Sequence, residues 1–278
     1  MPEFDSVCTM PRITQITLYP IKSCTGISVE SAKLDFRGFC DDRCFMLVDI
    51  KGRFLTQREH PGMSRIMVSR NGHDWSVQIE GQQKLDLPAS LSTHKERLVR
   101  IWKDQLNVAV ASASYNEWFS DAIGVQCELV QMNAQHLRPI KPGRGRIDDT
   151  VNLADGSPVL LTSEASLFAL NQRLEDPVPM VRFRPNLVVS ADIAFIEDCW
   201  RRIRVGEVEF EVGWGCTRCI VTTIDPKTAE KHPNGEPIKT LKGFRSGTEG
   251  VMFGQNLIPR RLGTVRVGDL VEVIEEID

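Results

Sequence analysis

The chain has 278 residues, 41% of them hydrophobic and 26% charged, with a formal net charge of −3. That length supports one large β-rich unit or two modest domains around a buried core, and the near-balanced charge gives no global basis for nucleic acid or an anionic membrane as partner. No run reaches the roughly 20 apolar residues of a membrane span, and the start MPEFDSVCTMPR resembles neither a signal nor a transit peptide, so a cytoplasmic location with mostly reduced cysteines is expected.

Short apolar runs bounded by Gly, Pro, Asn and Asp dominate the chain and read as strands. In order they are ITQITLYP (13–20), RCFMLVDI (43–50), RIMVSR (65–70), DWSVQIE (74–80), LNVAVAS (106–112) and CELVQM (127–132). After the middle come LVVS (187–190), RIRVGEVEFEV (202–212), CIVTTI (219–224), VMFG (251–254), GTVRVG (263–268) and LVEVIEE (270–276). Two helices interrupt them. SYNEWFSDAIG opens with Ser114 and Glu117 in capping-box spacing, closes at Gly124, and puts Trp118, Phe119, Ala122 and Ile123 on its buried stripe. SEASLFALNQRL starts at Ser163, aligns Leu167, Leu170 and Leu174, and stops before Pro177.

Between these helices HLRPIKPGRGRIDD (136–149) looks like a boundary, with Arg138, Lys141, Arg144 and Arg146 and no acid before Asp148. It reads either as a solvated linker or as an anion-attracting rim over a nearby pocket. Further on, RVGEVEFEV (204–212) and RVGDLVEV (266–273) echo each other and suggest two similar hairpins in one barrel-like sheet, without the fixed period of a true repeat.

GCTRCIVTTIDP (215–226) carries a C-x-x-C pair, Cys216 and Cys219. A redox dithiol belongs at a helix N-terminus, whereas the β-branched run after Cys219 points to a strand. A structural zinc site needs four ligands; Cys40, Cys44, Cys216 and Cys219 could supply them, with nothing else in support. What remains is one working thiolate, with Arg218 beside it to favour the charged form, or a cysteine that merely fills core space, the plainer reading of the segment alone.

Several other segments offer polar groups at strand ends. YPIKSCTG (19–26) presents Lys22 and Ser23 in a loop closed by Gly26. CDDRCFML (40–47) places Arg43 at a strand entrance, paired with Asp41 or Asp42 or aimed at a ligand, and FLTQRE (54–59) offers Arg58 similarly. LLTSEASL (160–167) runs from strand to helix through Thr162 and Ser163, a place for helix capping or for a phosphate. VRFRPN (181–186) supplies Arg182 and Arg184, and FGQN (253–256) supplies two amides. None of these is specific alone.

Taken in order, YPIKSCTG, DDRCF, TQRE, LTSEASL, FRPN, RCIVTTIDP, FGQN and GTVRVGD resemble the MOSC family with its N-terminal β-barrel domain, and within it the mitochondrial and bacterial amidoxime-reducing branch. The resemblance implies a mostly β fold with a few helices: an N-terminal β-barrel-like α+β domain over 10–135 and a β-barrel MOSC domain over 136–278. The boundary loop would cover about 136–150, with the option that the N-terminal strand packs into the second barrel. It implies a molybdenum cofactor, a pterin dithiolene with a phosphate tail, whose metal takes one protein cysteine. On that likeness Cys219 is the metal ligand and catalytic centre, with Thr217 and Arg218 touching the cofactor and Cys216 a bystander. Lys22, Ser23, Arg43, Thr162, Ser163 and Arg184 would hold phosphate and pterin, and Asn256 stands where some relatives have tyrosine.

The implied activity is reduction of N-hydroxylated compounds (amidoximes, hydroxylamines, N-hydroxylated bases), with electrons from a separate iron–sulfur, haem or flavin protein and no part for nucleic acid or membrane. No residue stands out as proton donor. The alternative is a cofactor carrier or sulfur-transfer module; pyridoxal phosphate, also associated with the family, belongs to the fused domain of the sulfurases, which is not seen here. The chain also departs from long bacterial relatives in showing no C-terminal ferredoxin-like segment, and from mitochondrial ones in showing no anchor.

Overall fold

A computed structural model of the protein describes residues 10–133 and 136–277; residue 135, where the first domain is expected to end, lies outside them. The largest sheet runs, in hydrogen-bonded order, through Val271–Glu276, Trp200–Val205, Val208–Thr217, Gly250–Arg261, Val159–Ser163, Leu187–Val189, Ile13–Leu18 and Ile27–Val29. Ile13–Leu18 thus pairs antiparallel with Leu187–Val189, far away in sequence. The sheet also curls back on itself. Arg12 bridges Leu270, the Ile13 amide donates to Asp269 O at 2.9 Å, and the Val271 amide donates to Pro11 O at 2.7 Å. Closure of this kind removes exposed strand edges. Ile16, Trp200, Phe210 and Leu257 fill the interior.

A second sheet orders Phe45–Asp49, Cys127–Met132, Asp104–Val110 and Glu96–Ile101. Phe45 and Leu47 face one core while Met46 and Val48 face another, the two-residue alternation of a strand covered on both sides. The helix Ala113–Ile123 lies over the first of these faces through fully buried Phe119. The expected mostly β architecture with few helices is what the chain adopts.

Four local expectations are corrected. The first helix is preceded by Ser112, not Ser114, with no side-chain cap, so the capping box does not form; its end at Gly124 does, at φ 72°. The segment 219–224 is not a strand. The strand Val208–Thr217 ends before Cys219, and Ile220–Thr223 coil into a 3₁₀ turn. The Thr222 and Thr223 hydroxyls donate to Cys219 O and Ile220 O at 3.1 and 2.7 Å, which lets two β-branched residues sit in a tight turn. The run 251–254 is part of the long strand Gly250–Arg261. Finally, 204–212 makes a hairpin turning at Gly206, but the strands flanking Gly268 pair with other neighbours, Ser31–Asp35 and Trp200–Val205, so the second echo is a turn without a hairpin. The helix Ile238–Phe244 had no clear sequence signal.

Candidate functional site

A cleft of about 1040 Å³ is lined from both halves of the chain. On one wall the strand Ile13–Leu18 hands over to a loop tied down by the Lys22 amide, which donates to Phe45 O at 2.8 Å, and by Gln57 Nε2, which donates to Ser23 O at 2.6 Å. Buried Lys22 reaches Leu153 O at 2.9 Å and Asp155 Oδ1 at 2.5 Å. Asp155 also accepts from Arg58 Nη2 and from Trp102 Nε1, both at 3.3 Å. Burial pulls Lys22 down to about 8 although the Asp155 charge opposes it. Burial would raise the Asp155 carboxyl, but the charges of Lys22 and Arg58 together hold it well below the usual carboxylate range.

Arg43 donates to Asp42 at 2.5 Å, to Asn186 Oδ1 at 2.8 Å and to Arg184 O at 3.3 Å. Arg184 donates to Cys24 O at 2.8 Å. Both guanidinium groups lie over the buried Tyr19 ring, at 4.5 and 4.2 Å. Ser23, Arg43 and Arg184 all line the cleft with positive φ (68°, 47° and 53°). Non-glycine residues held there store strain that surrounding contacts must sustain, a pattern concentrated at ligand sites.

Cys219 follows the strand Val208–Thr217 and lines the cleft half-buried, beside Cys216, Thr217 and Arg218. The Arg58 guanidinium stands close enough for a charge on this sulfur to stabilise it, and it also lies 4.9 Å over the Trp102 ring. Arg218 does not serve this sulfur as expected: its Nε and Nη1 donate to Phe253 O and Phe183 O, both at 2.8 Å. Burial pushes the Cys216 thiol up, away from thiolate character. Among the described residues no three His, Cys, Asp or Glu side chains gather as a metal site, so the four-cysteine zinc arrangement does not form.

Two of the arginines on the cleft are incompletely satisfied. Arg218 Nη2 and Arg182 Nε and Nη1 are buried without a protein partner. Buried cationic donors without acceptors are costly, so the orphaned Arg218 donor suits an anionic, acceptor-rich ligand, with the half-buried Cys219 sulfur on the same cleft available to a soft metal. The residues fit the pterin–phosphate group expected from the sequence.

The MOSC N-terminal beta barrel domain matches residues 10–126 and the MOSC domain matches residues 148–272. The chain is 30% identical to human mitochondrial amidoxime-reducing component 1 over 94% of its own length and 82% of that protein, and 32% identical to the mouse protein over the same shares. The chain belongs to the MOSC family. It is also 31% identical to the molybdenum cofactor sulfurase of Oryza sativa subsp. japonica, over 87% of this chain and 32% of that protein. Both kinds of relative tie this MOSC protein to molybdenum-cofactor-related function.

The structure brings Lys22, Ser23, Arg43, Arg184, Thr217, Arg218, Cys219 and Asn256 to one cleft. It does not bring Thr162 or Ser163 there. Both are fully buried: Thr162 contacts Met180 Sδ at 3.2 Å, and Ser163 caps the helix Glu164–Asn171 by accepting from the Ser166 amide at 3.1 Å. That helix start faces the buried pair Ser166–Glu197, so capping is the reading that holds for Ser163. The basic segment 136–149 is largely exposed but is anchored through two of its arginines. Arg138 is buried against Asp104, Asn152 O and Ala154 O, while Arg144 pairs with Glu249 and lies 5.4 Å over Trp214 at the cleft. Asp155, Trp102 and Asn186 escaped sequence reading; the acid–glycine turn ADGSP (154–158) was the available signal for the first.

Proposed function

We propose that this MOSC protein is a molybdenum-cofactor-dependent reductase of N-hydroxylated compounds such as amidoximes and hydroxylamines. The observation that carries the reading is the Cys219 sulfur on the wall of a cleft whose other walls present Lys22, Arg43 and Arg184 and the unsatisfied donor of Arg218. Family relatives named for amidoxime reduction support it.

In this reading Cys219 would offer its thiolate to the soft metal, and Arg58 sets its positive charge near the sulfur while Asp155 and Trp102 hold the guanidinium in place. Arg43 and Arg184, locked over Tyr19, and Lys22 hold the anionic pterin phosphate with little freedom left to lose on binding. When bound, the cofactor supplies the two-electron chemistry that the side chains lack. Two electrons and two protons convert an amidoxime to an amidine and water. The indole of Trp214, the 139–142 segment and the paired Arg144 and Glu249 complete the lining of the cleft. The electrons come, in this proposal, from a separate redox protein. Among the described residues no helix is long and apolar enough to cross a membrane.

The likeness to a cofactor sulfurase favours a second reading, a carrier or sulfur-transfer module in which Cys219 hands its cargo on. One preparation separates the two. Protein from a cofactor-competent host is assayed for bound molybdenum and for benzamidoxime reduction with an artificial electron donor. Metal with turnover supports the reductase; metal without turnover, but with transfer to an apo-acceptor, supports the carrier.

A further inference from the structure

Behind the turn that follows Cys219 lies a second, smaller cavity of about 80 Å³, lined among others by Ser64, Val181, Arg182, Arg184 and Val221. Its size sets the ligand class. A water's share of liquid volume is roughly 30 Å³, so the space takes two or three waters, or one small inorganic ion with a water, and excludes an organic molecule.

The lining sets the sign of the charge. The Arg182 side chain is 9% exposed and gives Nη2 to Asp225 at 3.0 Å, while its Nε and Nη1 are buried with no protein partner. Ser64, 2% exposed, also leaves its hydroxyl oxygen unpartnered. Arg184, the second cation of the lining, spends Nη1 on Cys24 O. No carboxylate lines the cavity. Asp225 sits outside it, and its Oδ1 also accepts from the amides of Lys227 and Thr228 at 2.8 and 3.2 Å. Asp225 answers for Arg182, while Asp42, the carboxylate that bears on Arg184, is already paired with Arg43, so three guanidinium groups share two carboxylates. Water would satisfy the hydrogen bonds but leave a buried positive charge uncompensated, and that residue is the costly part. An anion meets both demands at once.

We propose that this cavity is a binding site for a small inorganic monovalent anion of halide size, held by Arg182 Nε and Nη1 and the Ser64 hydroxyl. The bound ion ties the turn Met180–Phe183, which carries Arg182, to the turn Ile220–Thr223, which contributes Val221 and directly follows Cys219. Arg182, Arg184 and Val221 also line the large cleft, so the two spaces adjoin; Ser64 lines the small cavity and not the cleft, and an ion found at Ser64 is therefore distinguishable from cofactor binding.

The test uses bromide as probe on the intact protein. Sodium bromide is titrated against sodium gluconate at constant ionic strength, thermal unfolding is followed, and a crystal grown in bromide is measured at the bromine edge. The expected result is a saturable rise in the unfolding midpoint of about 2–4 °C and an anomalous peak between Arg182 and Ser64. Arg182→Met abolishes the bromide-dependent rise; Ser64→Ala, which removes one hydroxyl and keeps the fold, weakens the apparent affinity about tenfold. No saturable rise, a rise that survives in both variants, or a peak confined to the large cleft overturns the proposal.

Discussion

Replacing Asp155 by Asn tests the electrostatic logic of the cleft without touching the sulfur. The carboxylate holds the ammonium of Lys22 at 2.5 Å and the guanidinium of Arg58 at 3.3 Å. Lys22 is 7% exposed, and its fall from 10.5 to about 8 corresponds to roughly 3 kcal/mol spent on keeping the charged form inside. Removing one partner of a fully buried pair costs about 3–5 kcal/mol. Here the Asp155 side chain is 52% exposed and solvent screens the pair, so the expected loss is about 1–2 kcal/mol at about pH 6. The sign follows from linkage: between about 8 and the ordinary lysine value the unfolded chain holds a proton that folded Lys22 has released, so this group's contribution to stability rises with pH there. In the variant the folded Lys22 value drops further and the rise begins at lower pH. Near pH 9 the wild-type lysine is already mostly neutral, and the penalty of Asp155→Asn shrinks below about 1 kcal/mol. Buried Cys24 and half-buried Cys44, both pushed up to about 12, act oppositely above the ordinary thiol range, so the variant-minus-wild-type difference is the quantity to follow. Urea unfolding at both pH values measures it. An equal penalty at the two, or a larger one at high pH, refutes the reasoning.

Other perturbations have equally definite outcomes. Arg58→Gln removes the positive charge near the Cys219 sulfur and should lower kcat about tenfold with KM and metal content nearly unchanged, Arg58→Lys recovering part of the loss; steady-state kinetics beside metal analysis checks this, and an unaltered kcat would deny Arg58 its positioning role. Glu249→Gln releases Arg144, which lines the cleft; a partly exposed pair is worth under about 1 kcal/mol, so labelling of Cys219 by a bulky thiol reagent should quicken by up to about fivefold, an effect that salt reproduces in wild type. Gly254 sits at φ 78°, with the oxygen of Leu161 only 2.5 Å from any added Cβ, so Gly254→Ala should cost about 2–4 kcal/mol in denaturant unfolding, and a cost below about 1 kcal/mol would contradict the described approach of these strands.

Sequence reading reached the strands because short apolar runs bounded by turn residues are legible before any partner is known; Phe45 to Val48, apolar at every position, is the run the fold covers on both faces. It failed at Ile220–Thr223, where β-branched composition suggested a strand and two threonine hydroxyls, bonded back to carbonyls, made a turn. Polar residues at strand ends identified most of the cleft, because strand ends are where a rigid sheet presents side chains. Thr162 and Ser163 shared that local signal, yet their helix start points at Ser166 and Glu197, a fact settled only by tertiary packing. Asp155, Trp102 and Asn186 stand singly in unrelated segments, and only folding brings them to Lys22, Arg58 and Arg43. Arg182 was visible as a residue but not as an unsatisfied one, since satisfaction is a property of neighbours.

The most direct test of the central claim is molybdenum content per chain, measured by elemental mass spectrometry on wild type and Cys219→Ser prepared in parallel from a cofactor-competent host. The reading developed above predicts near-stoichiometric metal in wild type and a severalfold loss in the variant, with the unfolding midpoint of the metal-free proteins unchanged. Equal, substantial molybdenum in both, or none in wild type, would contradict it.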